Sequence, residues 1–303
     1  MKKTSWAAMA VLTVISFILA LVLIVITIAQ GAVSSVRTAY SSDELGEMLE
    51  KMDYAEIEIF VDGEKTPLYE LLNSAIEKYS AGRLNGEFTA RIVNSQLERS
   101  GVIDVLSELG GDLAAWMFED GAAPKLEISE LLGNVFDNLD GETLEILRSQ
   151  NITGEDVTAI VKKTVGDIDL SDALGEIEPY RVIVSGMTEI ILWAAMVFVA
   201  VLLFFCGRFR PEIAAFYFGA SWTIGGIVLL IVKFVISTPL KVWLDVGEIL
   251  PESTYATLVR PLVRSLGDMG EFFAIAGVTI IVVGVLILAV RGIIASARRA
   301  KQK

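Results

Sequence analysis

The chain has 303 residues, 53% of them hydrophobic, with a mean hydropathy of +0.59 and a formal net charge of −13. It has no histidine and one cysteine, Cys206, which excludes zinc centres, thiol redox pairs, disulfide frameworks and a histidine base. The charge is segregated. Residues 31–181 carry 12 Lys/Arg against 31 Asp/Glu, while the rest of the chain carries 13 against 7; an acidic domain of that kind repels nucleic-acid phosphates.

Four apolar blocks hold nearly half of the hydrophobic residues. The first runs from Trp6 to Ala29 without a charge, and its roughly 24 residues suffice to cross a ~30 Å hydrocarbon core. A signal peptide cut after Gly31 or Ala32 is the competing reading, but a signal core is usually only about 7–15 residues. The second block runs from Val182 to Phe205, the third from Ile213 to Ser237 and the fourth from Phe272 to Val290. Lys2, Lys3, Arg208, Arg210, Arg291, Arg298, Arg299, Lys301 and Lys303 fall on one side if the spans alternate. The positive-inside rule makes that side the cytoplasm.

The expected fold class is therefore an all-α membrane protein: four transmembrane helices plus a mostly helical extracytoplasmic domain between helices one and two. The expected boundaries are 1–30 for the N-terminus and first span and 31–181 for the acidic domain. They continue as 182–205 for the second span, 206–212 for a cytoplasmic turn, 213–237 for the third span and 238–271 for an outer loop. The fourth span takes 272–290 and a basic cytoplasmic tail 291–303. A multi-pass protein of the cell (plasma) membrane with both termini inside follows. The lack of cysteine in the outer domain favours a bacterial envelope.

Within the acidic domain, apolar residues recur at helical spacing. One stripe is Leu68, Leu71, Leu72, Ala75, Ile76 and Tyr79, with Thr66 as N-cap and Pro67 at the first helical position. Others are Ile92–Leu97, Val102–Met117 with a break expected at Gly110-Gly111, and Leu131–Leu139. Asp140-Gly141 reads as a turn and helix start, and Thr153–Asp156 resembles a capping box. Glu56–Val61 alternates as a strand before Asp62-Gly63, the sequence of a short β-hairpin; the partner candidate is Glu87–Ala90.

Asp167, Asp169, Ser171 and Glu178 have the 1, 3, 5, 12 spacing of a calcium loop, although Asp172 stands where its tight turn needs glycine. Calcium is the one cofactor candidate; a solvated turn is the competing reading. Glu189 and Lys233 are ionisable groups inside apolar spans, where charge is costly and usually paired or functional. Helical rise puts them about 9 and 7 Å from the same end of their spans, so an intramembrane pair is expected, with snorkelling of Lys233 as the alternative. Ala215, Gly219, Ser221, Gly225, Gly277 and Gly284 permit close helix packing. Thr254–Leu266 is amphipathic but interrupted by Pro261, and Arg260 and Arg264 could dock on the acidic domain. Cys206 is a plain thiol or an acylation site.

No catalytic constellation is present, so the chain is read as no enzyme. The functional expectation is an envelope protein whose outer domain binds a partner or ligand. Its partners are the lipid bilayer and another membrane or envelope protein, with oligomeric state open. The plan of four spans with a large domain between the first two is similar, in layout only, to the macrolide-exporter and cell-division type ABC permeases. That resemblance implies a transport subunit engaging an ATPase, for which the turn between spans two and three offers about six residues.

Overall fold

A computed structural model describes residues 6–51, 58–61, 64–67, 100–119, 121–126, 141–149, 168–169, 174–175, 178–237 and 252–300. The helices expected around residues 68–79, 92–97, 131–139 and 157–161, and the Thr153 capping box, lie outside them. Contacts divide the chain into two units, one of residues 1–38, 186–238 and 262–303, the other of 39–185 and 239–261.

The first unit is a helical bundle. Its helices are α1 (Trp6–Ala39), α6 (Gly186–Cys206), α7 (Pro211–Ser237) and α8 (Glu252–Ala300), the last beginning in the other unit. Among the described residues these four are long and apolar enough to cross a membrane, making this a multi-pass membrane protein. Helices are what lipid demands, because each backbone N–H and C=O must find its partner within the segment. The side chains of Phe17, Val25, Ile190, Val197, Phe234 and Ile275 point outward and are more than half exposed, as a surface wetted by hydrocarbon permits.

Inside the bundle, Leu23 of α1 packs with Met196, Val199 and Leu203 of α6. Leu229, Leu266 and Phe273 form a second cluster, and Trp193 and Trp222 border both. Lipid gives no hydrophobic force between helices, so close backbone approach has to bring them together. The glycines supply it. A Cβ on Gly277 of α8 would lie 2.5 Å from the Thr223 amide nitrogen and 2.6 Å from the Gly219 carbonyl oxygen; one on Gly226 would lie 2.5 Å from the Gly270 carbonyl oxygen. Gly225 likewise makes room for Thr27 of α1.

Three spans differ from the sequence expectation, the second by starting at Gly186, four residues after Val182. α1 continues ten residues past Ala29, because Gln30, Ser34, Ser35 and Arg37 are buried or half-buried and hydrogen-bonded along it. The stretch around Thr254–Leu266 is no separate loop helix: α8 runs unbroken through Pro261 for 49 residues, about 73 Å. Proline removes one ladder bond, to the Thr257 carbonyl, and one residue on the Leu258 carbonyl accepts the Tyr40 hydroxyl at 2.8 Å.

The turn between α6 and α7 is tight. Arg208 and Phe209 both hold φ of 58°, a left-handed backbone costing about 1–2 kcal/mol per non-glycine residue. The Phe209 ring packs edge-on against Phe204 and Phe205, at 5.4 and 5.2 Å between centroids.

In the second unit, α2 (Ser42–Glu50) starts at Ser41, whose hydroxyl accepts the Glu44 amide, while Asp43 and Glu44 occupy the first turn. Both features favour a helix N-terminus. Two short antiparallel pairs follow in the chain, β1 (Glu58–Val61) with β2 (Glu64–Pro67), and β3 (Lys125–Leu126) with β4 (Ile168–Asp169). Thr66 and Pro67 thus lie in β2, opposite Ile59 and Glu58, and the other partner candidate, Glu87–Ala90, lies outside the described residues.

α3 (Ser100–Phe118) passes straight through Gly110-Gly111, where a break was expected. The reason is packing. The Leu49 side chain of α2 fills the space a Gly110 Cβ would take, Gly111 faces the Ser42 carbonyl, and Gly46 faces Ser107. Two further helices are described, α4 (Gly141–Ser149) and α5 (Glu178–Val184). The Arg181 guanidinium of α5 stacks over Trp116 of α3 at 5.2 Å.

Candidate functional site

Gln30, Ser34 and Arg37 stand four and three residues apart on α1 and so share one face. Opposite them, Glu189 lies in the first turn of α6, where the helix dipole favours a carboxylate. Its Oε1 accepts from Ser34 Oγ at 2.5 Å and from Gln30 Nε2 at 3.3 Å; its Oε2 takes the Arg37 guanidinium. Gln30 Nε2 also donates to Ser34 Oγ at 3.1 Å. Arg37 and Glu189 are about one-quarter exposed, while Gln30 is fully buried. Arg37 spreads over Gly186, whose missing Cβ would sit 3.3 Å from the guanidinium nitrogen.

This corrects the expected Glu189–Lys233 pair. Both carboxylate oxygens are occupied from α1, which runs ten residues past the apolar block. Lys233 lies along α8 instead, its stem and amine covering Gly267. The signal for the true partner was present: Gln30, Ser34 and Arg37 continue the helical period beyond the apolar run.

A second ion pair joins α7 and α8 at the bundle's other end. Arg291 Nη1 meets both oxygens of Glu212 at 2.8 and 2.7 Å. Between these charges runs the glycine seam: Glu212, Gly219, Gly226 and Lys233 are seven apart on α7, as are Gly270, Gly277, Gly284 and Arg291 on α8.

The remaining sequence candidates fall as follows. Asp169 is in β4, opposite Lys125, and Glu178 opens α5 with its side chain exposed; Asp167 and Ser171 lie outside the described residues. Among the described residues no group of three carboxylates or thiols is placed to hold a metal. Arg260 and Arg264 are both exposed on α8, and among the described residues no ion pair holds either one. Cys206 closes α6 as a free, half-buried thiol.

What this arrangement does chemically is fasten helices. The Glu189 cluster ties α1 to α6, the Glu212 pair ties α7 to α8, and Ser221 Oγ ties α7 to the Ala20 carbonyl of α1 at 3.0 Å. Compared with protein-family models, with curated proteins and with solved structures, the chain matches none.

Proposed function

We propose that this is a non-enzymatic membrane protein of the cell envelope, whose acidic domain stands outside the cytoplasm and binds a partner, with the four spans as its anchor. The observation that carries this reading is the use made of charge within the spans. Arg37 pairs with Glu189, Glu212 is capped by Arg291, and Lys233 is laid along Gly267. Charges in a transport path face a cavity or exchange partners; these hold helix to helix. Against the transport-subunit reading stands the Gly207–Arg210 turn, four residues fastened by backbone bonds to Leu203, Phe204 and Phe205, which offers an ATPase little to grip.

The reading is tested in native membranes with photo-crosslinking residues at exposed Glu44 and Glu47 and at Arg208. Adducts from α2 to an envelope protein or wall polymer support it. Adducts confined to Arg208 and to a nucleotide-hydrolysing subunit would replace it with the transport reading.

A further inference from the structure

Between α7 and α8, at the end marked by Glu212 and Arg291, lies an open groove of about 260 Å³ lined by Ile213, Phe216, Ile281, Val285 and Leu288. It exists because Gly284 has no side chain: α8 can approach until that glycine's Cβ position is 3.1 Å from Ala215, and the flanking side chains then stand apart. From Ile281 to Leu288 the groove is about 10 Å long by helical rise, against about 15 Å for one leaflet of hydrocarbon.

Its mouth is charged. Glu212 is only 10% exposed on its side chain and gives both oxygens to one nitrogen of Arg291, whose side chain is 50% exposed. Among the described residues nothing else bonds that guanidinium, whose other donors are left for a ligand. Arg210 is exposed and stands two residues before Glu212, its carbonyl accepting the Ala214 amide in the first turn of α7. Two arginines around one carboxylate leave the mouth net positive, and guanidinium forks match phosphate oxygens.

We propose that this groove binds one anionic phospholipid, with an acyl chain along Phe216, Ile281 and Val285 and the phosphate between Arg210 and Arg291. An acyl chain suits a wall of aliphatic and aromatic carbon that faces the bilayer. A negative headgroup suits arginines whose neighbouring carboxylate, Glu212, is already engaged. Neither half alone specifies the ligand; together they select a lipid by charge.

The test is native mass spectrometry of the full chain, purified with phosphatidylglycerol and phosphatidylcholine of identical acyl chains. One phosphatidylglycerol should be retained in preference to phosphatidylcholine. Arg210→Gln, which leaves the Glu212–Arg291 pair intact, should cut that preference about fivefold, the weight of one arginine at an anionic surface. Val285→Trp fills the groove from its exposed edge and should reduce retention of both lipids. Ile191→Trp, on a lipid-facing position outside the groove, is the control for added bulk and should change neither. Equal retention of the two lipids by the wild-type chain overturns the proposal, as does undiminished retention in Val285→Trp. Release of the lipid by inorganic phosphate alone would also overturn it, since the acyl chain would then contribute nothing.

Discussion

A carboxylate one turn into a membrane helix persists only if something satisfies it, and for Glu189 that something is three side chains of α1. Glu189→Leu leaves Arg37 half-buried without its counter-charge and should destabilise the bundle by about 2–4 kcal/mol, measured by denaturant unfolding in micelles. Charge exchange separates the two candidate partners: Glu189→Arg with Arg37→Glu should recover most of the loss, and Glu189→Arg with Lys233→Glu should not. If the second exchange rescues and the first does not, the assignment fails. Tyr40 gives a pH test. Burial raises its hydroxyl above the ordinary value of 10.0, so the folded state holds that proton more tightly than the unfolded chain. Its bond to Leu258 therefore contributes fully below pH 10 and is lost as pH climbs through the raised value. Tyr40→Phe should lower stability by about 1 kcal/mol at neutral pH and flatten the alkaline fall; an unchanged alkaline limb would refute this. The need for a partner at Glu189 was legible in the sequence. A signal for that partner was present too, in Gln30, Ser34 and Arg37 at helical spacing, but ending the span with its apolar block at Ala29 left them out.

Helix contacts here rest on absent side chains, so adding one is the natural probe. Gly277→Val drives a side chain into backbone atoms of α7, which cannot rotate aside, and should cost about 2–4 kcal/mol or disorder the α7–α8 contact. Gly292→Ala, on the same helix with nothing within 4 Å, should be neutral or stabilising by up to about 1 kcal/mol through helix propensity. Similar losses for both would show that helix propensity, not contact, governs the seam. Gly277 and Gly284 were visible one heptad apart, and packing within the chain was the favoured reading; what could not be read was which helix they meet. Local rules also misjudged Gly110-Gly111 and Pro261. Each is a helix breaker in isolation, and each is carried by tertiary structure, α2 in the first case and the surrounding turns of a 49-residue helix in the second.

At the scale of the molecule, the number of spans was legible because lipid leaves an apolar block no alternative to helix. Much of the acidic domain was not: its residues carry local periodicity, but nothing local says which stripes face each other. The proposed orientation has a direct check. In a Cys206→Ser background, Glu44→Cys should react with a membrane-impermeant maleimide in intact cells, whereas Ser296→Cys, exposed near the end of α8, should react only after lysis; the reverse pattern inverts the topology. The seam between α7 and α8 has a last consequence. Because its glycines repeat every seven residues, sliding one helix past the other by a heptad, about 10.5 Å, would again set small residue against small residue. Shape therefore leaves the helices several nearly equivalent seatings. One of them is selected by side chains off the seam, the Glu212–Arg291 pair and the Leu229–Leu266–Phe273 cluster acting together as a detent, so neutralising either charge should weaken that choice of seating while the helices themselves stay intact.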